Sequence, residues 1–203
     1  GRVDSGKRAS VVAHDRGDGI VVLRVDAAAG ALDTALIGAL QDALNYAREL
    51  PSIKALVLES DEQVFLHGDR NVLDDEATRA LWRGLASFPY PTLAVLSGKA
   101  TGAGFWFACA CDFILAVDDQ VYGLATQESV VLTQRSQMAW LAARFGEPLA
   151  ALLATNANLF SGEQLRQIGW GAKVVERAQL PNAVDDLCRS LSDKSSRALR
   201  LLK

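Results

Sequence analysis

Apolar runs of strand length alternate with helical patterns along almost all of this 203-residue chain, and no other feature constrains its fold as much. Gly19 to Ala27 reads GIVVLRVDA, β-branched and apolar behind the turn-like DRGDG, which marks a strand. Leu32, Leu36, Leu40, Leu44 and Ala47 then recur at helical spacing, and Pro51 closes that pattern. IKALVLES (Ile53 to Ser60) and TLAVLSG (Thr92 to Gly98) are dense in the buried-type residues of parallel strands. Between them FLHGDRN reads as a polar loop, and DDEATRALWRGLASF as a helix that opens on acids and carries Leu81, Leu85 and Phe88 on one side. Pro89 and Pro91 stop that helix.

After a glycine-rich turn, FWFACACDF reads as a helix, FILAV as a fourth strand and VYGLA as a further short one. From Gln134 the pattern is helical through MAWLAARFG, PLAALLATN and SGEQLRQIG, where Ser161 and Gln164 have capping-box spacing. GAKVVERAQL is a short strand or extended turn, and NAVDDLCRSLSDK a final amphipathic helix. The alternation predicts an α/β domain with a mainly parallel sheet. The sequence shows no internal repeat and no low-complexity segment.

Composition narrows the class of partner. Half the residues are hydrophobic, 22% are charged, and the net charge is −3 with acids and bases interspersed. That suits a soluble globular domain and argues against nucleic acid, which selects a basic footprint. Cys109, Cys111 and Cys188 are too few, and odd in number, for a disulfide framework; they read as reduced, buried thiols of a cytoplasmic protein. No metal is expected, since only His14 and His67 could join them as ligands. No apolar run reaches membrane-spanning length. Residues 1–18 are expected to form a disordered N-terminal segment, ahead of one domain over 19–203.

Two glycine-bearing loops follow two of the strands: Phe65-Leu66-His67-Gly68-Asp69, and the turn holding Gly98, Gly102 and Gly104. Loops at the C-terminal ends of parallel strands lie on the side where ligands bind. The spacing of the second is neither a dinucleotide fingerprint nor a Walker loop. Taken alone, its glycines could simply let a helix pack closely on its strand. As a pair, the loops can direct one backbone N–H each at a carbonyl oxygen and hold it as it becomes an enolate or oxyanion.

The order of these elements, with ALVLES, F-x-x-G, FPYPTLAVLSGKATGAGFWFACACDFILA and NLFSGEQLRQIGWGAKVVE, resembles the crotonase (enoyl-CoA hydratase/isomerase) superfamily from about Gly19 onward. The resemblance implies a β-β-α superhelix with a mainly parallel sheet and C-terminal helices. It also implies an acyl thioester of coenzyme A or of a carrier protein's phosphopantetheine as substrate, no tightly bound cofactor, and a homotrimer or hexamer. Neither nucleic acid nor a membrane is an expected partner. By motif, the oxyanion hole takes the backbone N–H groups of Asp69 and Ala103, framed by Gly68, Gly102 and Gly104. Family members continue beyond the position of Lys203, so the trimerisation helices are expected to be lacking or truncated.

The departures from the family pattern carry as much weight. Hydratases place catalytic glutamates where this chain has Trp106 and Thr126, and neither residue can activate water or protonate carbon. Trp106, Thr126 and Lys99 are therefore read as substrate-binding residues, and His67 as a candidate proton donor. CRSLSDKSSRALRLLK is similar to the carboxy-terminal region of crotonase-like proteins of polyketide β-branching. The expectation is a decarboxylase or related enolate-forming lyase acting on a carrier-protein-bound acyl group. The alternative is a catalytically degenerate domain with a binding or structural role in a polyketide synthase; a hydratase or isomerase is disfavoured.

Overall fold

The computed structural model describes residues 10–26, 32–61, 63–68, 72, 74–124, 135–155 and 159–203. Six strands form one sheet in the order β1 (Ser10–Asp15), β2 (Ile20–Asp26), β3 (Ala55–Glu59), β5 (Thr92–Leu96), β7 (Phe113–Val117) and β10 (Lys173–Val175). Only the β1–β2 pair is antiparallel; the other pairs of this sheet are parallel. A second sheet takes β4 (Val64–Gly68), β6 (Lys99–Gly102), β8 (Val121–Gly123) and β9 (Phe160–Ser161), parallel except for the last pair.

Successive units place one strand in each sheet and then a helix. β3 and β4 lead to α2 (Glu76–Ala86), and β5 and β6 lead to α3 (Ala103–Cys109). This is a β-β-α superhelix, the architecture that the resemblance implies. Its repeat is hidden from the sequence because the second-sheet strands are only two to five residues long. FLHGD and the glycine turn, read as loops, are thereby corrected: Val64–Gly68 and Lys99–Gly102 are paired strands. A second correction falls at the N-terminus, where Ser10–Asp15, within the 1–18 segment expected to be disordered, closes a hairpin on β2.

Period-two alternation divides the large sheet's side chains between two cores. Val21, Leu23, Val25, Leu56 and Leu58 face the second sheet, α1 (Thr34–Glu49), α2 and α3. Ile20, Val22, Val57, Leu93 and Val95 face α7 (Leu180–Ser192) and α8 (Ser196–Leu201). The expected stripe of α1 is buried through Leu36, Leu40, Leu44 and Ala47, and Asp33 caps the helix by accepting from Leu36 N at 2.7 Å.

Between β8 and β10 lie α4 (Arg135–Phe145), α5 (Glu147–Thr155) and α6 (Gly162–Ile168). The predicted capping box opens α6: Gln164 N donates to Ser161 Oγ at 3.0 Å, and Ser161 N to Gln164 Oε1 at 2.8 Å. Neither β1 nor α8 stands out in the sequence, β1 because most of its residues are exposed and α8 because it is only six residues long.

Candidate active site

The site is built where β4 and β6 end side by side. Gly68, the last residue of β4, lies opposite Gly102, the last of β6. The chain turns from β6 straight into α3 without a linker, which Gly102 permits with φ at +57°. Gly104 then lies flush on β4, where a Cβ would stand 1.8 Å from the carbonyl oxygen of Leu66. That approach fixes the start of α3 against the end of β4.

Ala103 is the first residue of α3, so its N–H has no acceptor within the helix. Its side chain is wholly buried beside Gly68; a Cβ built at 68 would come within 3.0 Å of Ala103 Cβ. The chain passes over this junction again at Leu32, whose N–H donates to His67 O at 2.9 Å. Structure therefore brings together Gly68, Gly102, Ala103 and Gly104. Asp69 and Thr126 lie outside the described residues.

His67 is half-buried on β4, in register with Thr101 on β6. Lys99 is exposed at the opposite end of β6 from Gly102. Asp112 accepts from Thr92 N at 2.9 Å and from Thr92 Oγ1 at 3.1 Å. The same carboxylate takes Lys203 Nζ at 2.6 Å.

Trp106 sits one turn beyond Ala103 and is 4% exposed. Its ring stacks on Trp82 of α2, with centroids 4.6 Å apart and planes 5° from parallel. Trp140 of α4 stands at 80° to Trp82 and 78° to Trp106, with centroids 4.8 and 5.2 Å away. At such distances two rings at right angles cannot meet edge to edge, so Trp140 lays its face across the edges of the stacked pair.

The Trp82 indole N–H donates to Trp106 O at 2.8 Å. Its acceptor follows from the length of α3: a helix of seven residues leaves its last carbonyls without intrahelical partners, and Trp106 carries one of them. Sequence reasoning singled out Trp106 and missed Trp82 and Trp140. Trp82 follows the buried Thr78 by four residues on α2, a helical spacing that placed it on the inner face.

A cavity of about 230 Å³ opens against these rings, lined by the three tryptophans with Arg79, Arg83 and Ser136 among others. Glu76 bridges both guanidiniums at its edge: Arg79 Nη2 at 3.0 Å and Arg83 Nη2 at 2.7 Å. The hydrogen bonds from Arg83 and then Arg79 hold the Glu76 carboxyl below the usual range. The described lining includes no carboxylate, imidazole or thiol. Burial raises all three thiols, with Cys111 pushed up to about 12, and none of them lines this cavity.

A two-sheet superhelix with a backbone donor at paired glycine turns defines a crotonase-type protein. The chain belongs to the enoyl-CoA hydratase/isomerase family, whose model matches residues 15–203. Mitochondrial methylglutaconyl-CoA hydratase of Mus musculus is 25% identical over 91% of this chain and 65% of its own length. The chain spans 60–65% of the length of the mouse, rat and human forms of that hydratase. Among solved structures, the decarboxylase domain of CurF from Lyngbya majuscula superposes with a TM-score of 0.83 at 18% identity, over 96% of this chain and 84% of that one. A dehydratase/decarboxylase enzyme couple involved in polyketide β-branching gives 0.81 at 20% identity, over 95% of this chain and 82% of the other. At that identity these structures establish the fold.

Proposed function

We propose that this protein binds the acyl thioester of a carrier protein or of coenzyme A and promotes its decarboxylation, as one step of polyketide β-branching. The observation that carries this reading is Trp106, buried and stacked where a hydratase keeps a glutamate, beside a cavity whose described lining holds no general base. Hydration requires a group that activates water. Decarboxylation does not. The bond to the carboxylate carbon breaks, its electron pair enters the conjugated thioester, and carbon dioxide leaves. Negative charge grows on the thioester oxygen, where the N–H groups of Ala103 and Asp69 stabilise it. Loss of one comparable donor raises a barrier by about 2.7–4 kcal/mol. The resulting carbanion then takes a proton, for which His67 is the candidate donor. The names of the structural neighbours, a CurF decarboxylase domain and a β-branching couple, agree with this chemistry.

The test is incubation with a glutaconyl carrier protein, followed by intact-mass spectrometry. Loss of carbon dioxide is expected. Gain of water overturns the reading in favour of a hydratase. The Trp82–Trp106 stack fills space beside the helix that carries Ala103, which favours a second reading as a catalytically silent binding domain. An unchanged carrier mass with retained thioester binding selects that one. A homotrimeric or hexameric assembly belongs to the proposal and is read by light scattering.

A further inference from the structure

The tryptophan-walled cavity is a different piece of chemistry from the backbone donors, and its shape and charge specify an occupant. Its walls meet at right angles: the Trp82–Trp106 stack on one side and Trp140 across their edges. Centroids 4.6–5.2 Å apart leave no gap between the rings, so a ligand lies against the cluster and not inside it. An aromatic cage for a cation is thereby excluded, and the two guanidiniums at the edge repel one as well. Volume sets the size. The cavity is open to solvent on one side, and its roughly 230 Å³ admits a six-membered ring with a short substituent.

Charge sets the polarity of that substituent. Arg79 and Arg83 line the cavity whereas Glu76, which pairs with both, does not, so the charged groups of the described lining are the two guanidiniums. Arg79 is half-buried and Arg83 exposed, so the cluster orients an anion without locking it in place. Flat ring walls reward an aromatic group through stacked or edge-on contacts that a saturated ring of equal size cannot make.

We infer that this cavity selects a thioester whose acyl group ends in a planar, ring-sized π system bearing an anionic substituent, with Trp82 and Trp140, backed by the buried Trp106, reading the ring and Arg79 and Arg83 the charge. The inference rests on the thioester-binding part of the proposed function and is independent of the decarboxylation step.

The experiment is a tryptophan-fluorescence titration of the intact chain with pantetheine thioesters of 4-carboxycinnamic, cinnamic and 3-cyclohexylpropanoic acids. Cinnamoyl pantetheine is expected to bind about five- to tenfold tighter than the cyclohexyl probe, the fold-change of one aromatic pair. The added carboxylate is expected to tighten binding about threefold, and Arg79→Gln to erase that gain. Trp140→Leu removes the ring preference and Trp140→Phe retains it, which separates recognition from a folding defect. Equal binding of the cinnamoyl and cyclohexyl probes, or weaker binding of the carboxylate, overturns the inference while thioester binding itself stands. If no thioester binds but free 4-carboxycinnamate quenches the tryptophans, the cavity assignment stands and the thioester reading falls.

Discussion

At the residue scale, Gly104 is the narrowest constraint on the site. A methyl group there would stand 1.8 Å from Leu66 O, which is backbone and cannot rotate away. Gly104→Ala must therefore push the start of α3 off β4 and separate Ala103 from Gly68. Overpacking of this kind costs about 1–3 kcal/mol or more, and urea denaturation should show a loss at the upper end of that range. Gly68→Ala is the milder control, since its new contact would be the Ala103 methyl at 3.0 Å. An unchanged midpoint for Gly104→Ala would contradict the close approach described here.

The buried thiols make a second prediction at the same scale. Burial raises Cys109 and pushes Cys111 up to about 12, against an ordinary thiol value of 9.0. Burial likewise raises Tyr122, whose hydroxyl donates to Leu96 O at 2.8 Å. An unfolded chain loses these protons once the pH passes about 9–10, while the native chain keeps them longer. Between those limits the unfolded state binds fewer protons, so native stability falls as pH rises. Stability is expected to be level in this respect below pH 9 and to decline towards pH 12, by about 1 kcal/mol per pH unit for each group. Denaturant midpoints measured from pH 8 to 11 check it, and the native cysteines should resist alkylation at pH 8 until the chain unfolds.

At the element scale, Asp112 ties three segments together. Its carboxylate receives the N–H and hydroxyl of Thr92 at the start of β5 and the ammonium of Lys203 just beyond α8. Asp112→Ala leaves Thr92, which is 1% exposed, without those acceptors. Stranding buried donors costs about 1–3 kcal/mol each, so a melting-temperature loss and faster amide exchange in α8 are expected. Undisturbed exchange in α8 would show that the Lys203 contact does not anchor it.

Helices were the elements most legible in the sequence, and the reason is physical. α1, α2 and α6 carry acidic or capping starts and proline or glycine stops, and α1, α2 and α7 carry amphipathic stripes, all of them local signals. The second-sheet strands were not legible: five residues ending in His67-Gly68, or four ending in Thr101-Gly102, offer too few alternations to distinguish a strand from a loop. The paired glycine turns at Gly68 and Gly102 to Gly104 were readable as a site because their residue types are demanding. The walls of the cavity were not, because Trp82 and Trp140 meet Trp106 only through packing between separate helices.

At the scale of the whole molecule, the large sheet is covered on both faces, and the two covers do different work. The face towards the second sheet carries the glycine turns and the tryptophan cavity. The other face buries Ile20, Val22, Val57, Leu93, Val95, Leu115 and Val117 under Leu180, Ala183, Cys188, Leu191 and Leu199 of α7 and α8. Those two helices are thus structural partners of a sheet whose opposite side presents the site. Parallel sheets are stable only with both faces covered. A chain ending at Gln179 keeps every residue of the tryptophan cluster and every glycine of the turns but leaves that second face bare. It is expected to lose cooperative unfolding, to bind ANS and to aggregate, although no residue of the site has been removed. Buried large aliphatic side chains are each worth about 1.5–3 kcal/mol, so uncovering the seven on this face removes an amount comparable with the roughly 5–15 kcal/mol by which a domain is typically stable. A soluble, cooperatively melting product with the tryptophan cluster intact would show that the β-β-α superhelix stands without its C-terminal cover.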